Sequence, residues 1–195
     1  GKGYYGIYTG GTDAYITLNN SSVTNCSYMG IESDNSSSPI TITNSTIEEN
    51  GSHGLFADGS YSPIEVFNSS VSHNNSNGIY TNENYSPITV HDSYINNNGS
   101  YGMHTNQSWS AIEVKRTDVI GNGSNGIYMS GGNNSQDHTL VVEYSRVIDN
   151  NGHGLYSNGM TDVDNSIIID NYEYGIRTCY SSDINHSTII DNRRE

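Results

Sequence analysis

The chain has 195 residues, and its formal net charge is −14 because 21 acidic residues outnumber 7 Lys and Arg. This excess of acid argues against nucleic acid and anionic membranes as partners. No apolar run approaches the roughly 20 residues of a membrane-spanning helix, so we expect no membrane insertion.

A glycine followed by an apolar residue recurs along the whole chain. The recurring glycines are Gly6, Gly30, Gly54, Gly78, Gly102, Gly126, Gly154 and Gly175. Their successive spacings are 24, 24, 24, 24, 24, 28 and 21 residues. A repeat of this length indicates a solenoid, a propeller or another array.

Within each unit three short strand patterns follow one another in the same order. In residues 78–96 they read GIYT, SPITV and SYIN, and Gly, Asn, Ser and Asp separate them. Three strands and three turns predict one coil of a parallel β-helix. We therefore expect an all-β solenoid of about eight coils over residues 1–195.

The apolar residues form three columns, one for each strand. The first-strand column is Ile7, Ile31, Leu55, Ile79, Met103, Ile127, Leu155 and Ile176. The second-strand column includes Ile42, Val66, Val90, Val114 and Val142. The third-strand column is Val23, Ile47, Val71, Ile95, Val119, Val147, Ile168 and Ile189. Stacking these columns predicts a narrow core that needs only 32% hydrophobic residues.

An asparagine column follows the third strand. Its members are Asn50, Asn74, Asn98, Asn122, Asn150, Asn171 and Asn192. Stacked amides can donate and accept along a ladder, and Asn also tolerates the left-handed conformation of a tight corner. We interpret this column, and a parallel column of Ser and Thr, as structural.

Residues 39–55, PITITNSTIEENGSHGL, resemble the right-handed parallel β-helix repeat. Pectate-lyase-like proteins, periplasmic copper-protein maturation factors and many carbohydrate-binding proteins and sugar hydrolases share this repeat. The resemblance covers nearly the whole chain and implies a right-handed β-helix with an Asn ladder. It does not select a function, since the fold hosts lyases, hydrolases, epimerases, adhesins and fibres.

An enzymatic hypothesis rests on acids of the second strand. The resemblance to polysaccharide lyases and galacturonases implies acids on the outer face of one sheet. Asp162 and Asp183 occupy adjacent coils, with Asp164 and His186 nearby, and paired carboxylates catalyse glycoside hydrolysis. A lyase would need Ca²⁺ and a basic residue, so Ca²⁺ on the acidic columns is an open expectation and no other cofactor is expected. The alternative is that these acids keep a non-catalytic rod soluble.

Aromatic residues suggest a surface for sugars or protein partners. One predicted outward column contains Tyr8, Phe56, Tyr80, His104, Tyr128 and Tyr156. A shorter column in the next turn contains Tyr61, Tyr85 and Trp109. The competing interpretation is that stacked rings only stabilise packing between strands.

The third strand and the chain ends predict association. Its outward column ends in four apolar residues, Ile120, Ile148, Ile169 and Ile190. Exposed rows of this kind favour an interface. We expect the chain to be a fragment or repeat unit of a longer or polymeric assembly, joined head to tail or side to side, or to further domains of the same chain.

Several sequons lie at predicted turns. These glycosylation candidates are Asn20, Asn35, Asn84, Asn106, Asn133 and Asn185. Together the features favour a non-catalytic structural or adhesive solenoid, extracellular or at the cell surface, with a sugar-facing surface. A polysaccharide lyase or glycoside hydrolase is the alternative function.

Overall fold

The structure is a computed structural model that describes residues 3–131 and 138–193. It contains 24 strands in three parallel sheets of eight strands each. Each coil contributes one strand to the first, second and third sheet in turn. The predicted parallel β-helix of eight coils, with three strands per coil, is confirmed.

The strands of the three sheets follow the repeat. The first sheet contains β1 (Ile7–Thr9), β4 (Ile31–Ser33), β7 (Leu55–Ala57), β10 (Ile79–Thr81), β13 (Met103–Thr105), β16 (Ile127–Met129), β19 (Leu155–Ser157) and β22 (Ile176–Thr178). The second contains β2 (Ile16–Asn19), β5 (Ile40–Thr43), β8 (Ile64–Phe67), β11 (Ile88–His91), β14 (Ile112–Lys115), β17 (Thr139–Glu143), β20 (Met160–Asp164) and β23 (Ser182–Asn185). The third contains β3 (Ser22–Thr24), β6 (Thr46–Glu48), β9 (Ser70–Ser72), β12 (Tyr94–Asn96), β15 (Asp118–Ile120), β18 (Arg146–Ile148), β21 (Ile167–Ile169) and β24 (Thr188–Ile190).

The core is built from like residues stacked in register. Ile79 pairs with Leu55 and Met103, Val90 pairs with Val66 and Val114, and Ile95 lies between the equivalent valines of its neighbours. All of these side chains are fully buried. Neighbouring coils lie about 4.8 Å apart, so each apolar side chain covers the next and a few per coil are enough.

The asparagine ladder is confirmed in its hydrogen bonds. In mid-rod, Asn98 Oδ1 accepts from the backbone N–H and the side-chain amide of Asn74, at 3.2 and 3.0 Å. Asn98 Nδ2 donates to Asn122 Oδ1 and to the Val71 carbonyl, both at 3.1 Å. In the first coil Cys26 occupies the ladder position, and its backbone N–H donates to Asn50.

The expectation that the ladder residue itself is left-handed was wrong. The residue immediately before it adopts the positive φ, as Asn97 does at 54° before Asn98. The reason is that ladder side chains must point inward, while the left-handed residue makes the outward corner. This corner position holds Asn25, Glu49, His73, Asn97, Gly121, Asp149, Asp170 and Asp191.

The recurring glycines are required by close packing between coils. A Cβ on Gly78 would lie 2.7 Å from both the Gly102 carbonyl oxygen and the Asn98 side-chain amide. Any larger residue would therefore separate the coils or displace the ladder.

Hydroxyl ladders fix the other two corners. The predicted Ser and Thr column is confirmed, for example in the bond from the Ser45 N–H to Ser69 Oγ at 3.0 Å. A further ladder in the turn between the first and second sheets links Ser38, Ser62, Ser86 and Ser110. Its signal was the serine that precedes Pro or Ala before the second-sheet strands β5, β8, β11 and β14.

The 21-residue spacing after Gly154 results from a shorter turn. In the seventh coil only residues 158 and 159 separate β19 from β20, whereas residues 58–63 separate β7 from β8. The described residues contain no helix that is long and apolar enough to cross a membrane.

Candidate functional site: aromatic and acidic columns on the outer faces

The turn between the first and second sheets carries three exposed rings in coils three to five. Tyr61, Tyr85 and Trp109 adopt φ of 58°, 56° and 65°. This left-handed conformation costs a bulky residue of order 1–3 kcal/mol. The following serine ladder holds the turn, so the surrounding structure imposes the conformation. We call these three residues the turn stack.

The turn stack is nearly parallel. The Tyr61 and Tyr85 ring centroids are 4.9 Å apart with an interplanar angle of 0°, and Tyr85 and Trp109 are 5.8 Å apart at 9°. The residues remain 59%, 42% and 40% exposed. The predicted short column thus exists as one regular, solvent-facing row of rings.

The longer aromatic column has a different environment. We call Tyr8, Glu32, Phe56, Tyr80, His104, Tyr128, Tyr156 and Arg177 the first-sheet column. Its rings also stack, with Tyr80 and His104 4.8 Å apart at 12°. However, Phe56 and His104 are only 8% and 9% exposed, Tyr80, Tyr128 and Tyr156 are half-buried, and Tyr8 is exposed. The expectation of a continuous outward surface along this column was therefore wrong for its middle.

A second row of side chains covers that column. His53 packs against Phe56 and Tyr80 with ring centroids 5.4 and 5.3 Å away, and Tyr101 packs on His104 at 4.9 Å. These residues lie just before the recurring glycines. The sequence analysis missed the packing role of this position, although its signal was the run of His, Asn and Tyr there.

The covering row also bonds the backbone of the next coil. His53 Nδ1 accepts the Asn77 N–H at 3.2 Å, and Asn77 Oδ1 accepts the Tyr101 N–H at 3.2 Å. An accepting Nδ1 requires a neutral ring. Burial lowers the pKa of His53 to about 4, and burial followed by the charge of His53 lowers the pKa of His104 to about 4.

The second member of the first-sheet column, Glu32, is a buried acid. Glu32 is 7% exposed, and its Oε2 atom has no hydrogen-bond partner among the described residues. Burial raises the pKa of its carboxyl group. Burial and then the charge of Glu32 raise the pKa of Tyr5 to about 12. These shifts indicate a desolvated packing site at this end of the face.

Of the four acid and base candidates, the three acids lie on one face of the second sheet, and His186 follows the end of β23. Asp162 on β20 is paired in register with Asp183 on β23. Asp164 lies two residues after Asp162 on the same face, and its Oδ1 is 3.0 Å from His186 Nδ1. Desolvation, and then the charge of Asp183, raise the pKa of Asp162, whereas the hydrogen bond from His186 lowers the pKa of Asp164.

Further along the same face the charges neutralise one another. Glu113 Oε1 lies 2.9 Å from His91 Nε2 and 3.1 Å from Lys115 Nζ, and Lys115 also lies 3.5 Å from Glu143. Lys115 is therefore held between two carboxylates. This pairing stabilises its protonated form, which is unsuited to removing a proton.

The four isoleucines of the third sheet form a continuous outward row. Ile120, Ile148 and Ile169 are half-buried and in register, and Ile190 is 54% exposed. Ile167 lies beside them and is also exposed. Whether this row meets a partner stays a prediction.

The glycosylation candidates differ in exposure. Asn20 and Asn185 are exposed, and Asn35, Asn84 and Asn106 are half-buried. Asn106 Nδ2 already donates to Asn82 at 2.9 Å. Asn133 lies outside the described residues.

Across residues 3–131 and 138–193, no three or more His, Cys, Asp or Glu side chains are arranged to hold a metal ion. Calcium binding by the acidic columns stays a prediction.

Comparison with known proteins agrees with this architecture. The crystal structure of pectate lyase Pel9A superposes with a TM-score of 0.65 and 17% sequence identity. The match covers 91% of this chain and 55% of that one, so this chain spans about half the length of that lyase. At this identity the likeness concerns the fold alone.

A search of curated proteins gave no match. The family model described as the right handed beta helix region matches residues 1–138, which is well over half of the chain. Together with the three parallel sheets and the Asn ladder, this match shows that the chain belongs to the right-handed β-helix family.

Proposed function

We propose that this solenoid is a non-catalytic extracellular component of a surface or filament, and that it binds polysaccharide through the turn stack. The observation that carries the proposal is the row of three exposed rings in strained left-handed turns. Bulky residues at this position cost stability, and the chain itself uses Ser37 at the equivalent position of coil two. Strain retained in consecutive coils is typical of functional sites.

The charge of the protein favours a neutral glycan. A net charge of −14 repels polyuronates, whereas a sugar ring without a charge can pack its C–H surface on an aromatic ring. Exposed sequons such as Asn20 and Asn185 are consistent with a secreted protein whose rod carries glycans of its own.

A binding panel tests the proposal. Wild-type protein is incubated with neutral, amine-bearing and uronic polysaccharides, and bound protein is measured by co-sedimentation. The triple variant Tyr61→Ser, Tyr85→Ser, Trp109→Ser removes the turn stack with the residue that coil two already uses. Tyr144→Ser is the matched control, because Tyr144 is also 59% exposed with a positive φ of 51° but lies in another turn.

We expect the wild-type protein to bind neutral polymers. The triple variant should lose this binding, and the Tyr144→Ser control should keep it. Equal binding by all three proteins would refute the role of the turn stack. Absence of binding to every polymer would refute the function.

The second candidate is hydrolysis at Asp162 and Asp183. Their register pairing and the raised pKa of Asp162 favour it, since a glycoside hydrolase needs one protonated and one ionised carboxyl group. The same panel should then release new reducing ends, and Asp162→Asn or Asp183→Asn should abolish them without unfolding the rod. A lyase would instead give unsaturated products. If no polymer of the panel yields a product, hydrolase and lyase activity on these polymers are both excluded, and the binding role remains.

The isoleucine row is proposed as a side-to-side contact between copies. It presents apolar surface along coils five to eight, and burial against a second copy would remove that surface from water. Like charges oppose such contact, so salt should promote it.

A further inference from the structure

The turn stack has two unlike ends. At the coil-five end, the Trp109 ring meets the His138 ring at 5.1 Å and 69°, and the backbone N–H of Trp109 donates to His138 Nε2 at 3.3 Å. His138 is buried and closes this end. At the opposite end, coil two places Ser37 at the same turn position, with φ of 58°.

Ser37 is too small to cover the neighbouring ring. Among the described residues, Tyr61 makes its ring contact with Tyr85 on the coil-four side. Exposure rises in the same direction, from Trp109 to Tyr61. One face of Tyr61 is therefore open to solvent.

Elsewhere this chain covers such ring faces with its own side chains. The Arg177 guanidinium lies 4.9 Å from the Tyr156 ring centroid, and the Arg193 guanidinium lies 4.8 Å from that of Tyr172. Among the described residues no guanidinium lies over Tyr61 in this way.

We infer that a single neutral pyranose ring binds on the open face of Tyr61 and continues the turn stack as its next member. It would occupy the space above Ser37 where a larger side chain would lie, which we call the step. This inference rests on the proposed polysaccharide-binding function and names the place and the ligand class. Tyr61 and Tyr85 are parallel at 4.9 Å, which matches the coil spacing, so a further ring fits the same repeat above coil two.

The step is pre-formed and polar at its edge. The Ser37 N–H donates to the Ser60 carbonyl at 2.9 Å, and Asn35 Nδ2 donates to the Gly10 carbonyl at 2.6 Å. Ser36 is exposed and Ser37 is half-buried beside this space. Asp13, in the same turn of coil one, disfavours a uronic acid there.

The test fills the step. Ser37→Arg places a guanidinium where it can cover Tyr61, as Arg177 covers Tyr156. Ser37→Ala keeps the step open, and Ser36→Arg adds the same charge one residue away. Affinity for the neutral polysaccharide retained in the panel is measured by isothermal titration calorimetry. We expect about a tenfold loss for Ser37→Arg and changes within about twofold for both controls.

A fluorescence measurement tests where the sugar binds without filling the proposed site. Trp109 is the only tryptophan of the chain. The Tyr61→Trp, Trp109→Tyr variant moves the indole to the open end, and its emission should change more on saturation with ligand than wild-type emission does.

The outcomes separate the two proposals. Full affinity in Ser37→Arg, with binding lost in the triple serine variant, would overturn the open-end site and leave polysaccharide binding along the ring edges. A larger emission change at Trp109 than at the open end would overturn it as well. No binding by the wild-type protein would overturn both.

Discussion

The first-sheet column and the turn stack are both rows of stacked rings, yet they lie in opposite environments. Phe56 and His104 are almost fully buried beneath a covering row of side chains, whereas Tyr61 and Tyr85 are exposed in strained turns. The composition of the two rows is similar, so residue type does not distinguish them. What differs is whether a neighbouring position in the same coil supplies a side chain that covers the rings.

The difference assigns the two rows different roles. Rings that are covered contribute burial and stacking to stability, as predicted by their area and geometry. Rings that stay exposed in an unfavourable backbone conformation contribute little to stability, and we propose that they are retained for binding. Four predictions follow from this contrast.

The largest expected effect is the loss of a covered ring. Phe56→Ala removes a buried side chain that stacks on Tyr80 at 5.1 Å, and we expect a loss of about 3 kcal/mol in the free energy of unfolding. Tyr61→Ser, in the exposed row of the same coil, should change it by less than about 1 kcal/mol. Urea unfolding of both variants provides the measurement. Equal losses would contradict the contrast between the rows.

Acid should destabilise the covered row next. The folded pKa of His104 is about 4, below the ordinary value of 6.5, so the neutral ring is the stable form in the fold. This contribution is fully present above pH 6.5 and is lost as the pH falls toward 4. Between pH 7 and 5 it amounts to about 2 kcal/mol.

The control for this prediction is His104→Phe, which keeps a ring in the column. Other titrating groups are common to both proteins, so the wild-type protein should lose about 2 kcal/mol more than the variant between the two pH values. Parallel pH profiles would show that His104 is not held neutral by the fold.

Removal of the exposed row should act on binding rather than on stability. The triple variant Tyr61→Ser, Tyr85→Ser, Trp109→Ser should lose at least about tenfold in affinity for a neutral polysaccharide, or roughly 1.4 kcal/mol. Its unfolding free energy should change by less, because lost stacking is offset by relief of side-chain crowding in the left-handed turns. Calorimetric titration and urea unfolding on the same samples give both numbers.

The smallest effect on stability is expected at the isoleucine row, which has no rings. Ile148→Asp should change the free energy of unfolding by less than about 0.5 kcal/mol, since Ile148 points away from the core. It should weaken side-to-side association measured by light scattering at raised salt. If the wild-type protein stays monomeric at every salt concentration, the proposed interface is refuted.

The fold was predictable because each coil repeats the same physical requirements. Three features recur at near-constant spacing: glycine where coils approach, Asn98 and its equivalents in the ladder, and inward Ile and Val. Their periodicity reveals three strands per coil. The left-handed residue was misplaced by one position, since a sequence column does not show which of two adjacent corner residues points inward.

Exposure on the outer faces was less predictable. The alternation of side chains along each strand identified Phe56 and His104 as pointing away from the core. A side chain that points outward from a sheet is not necessarily exposed to water. Their burial depends on His53 and Tyr101, which come from the preceding turn and fold over the sheet. The open face of Tyr61 likewise depends on Ser37, a residue 24 positions away whose small size matters only once the coils are stacked.

The most direct test of the proposed binding surface compares the two rows in one experiment. Ring-proton NMR signals of Tyr61, Tyr85, Tyr80 and Tyr128 are assigned by substitution and followed during titration with a neutral polysaccharide. Binding at the turn stack predicts saturable shifts at Tyr61 and Tyr85, with the signals of Tyr80 and Tyr128 unchanged. Shifts confined to Tyr80 and Tyr128, or no shift in either row, would contradict it.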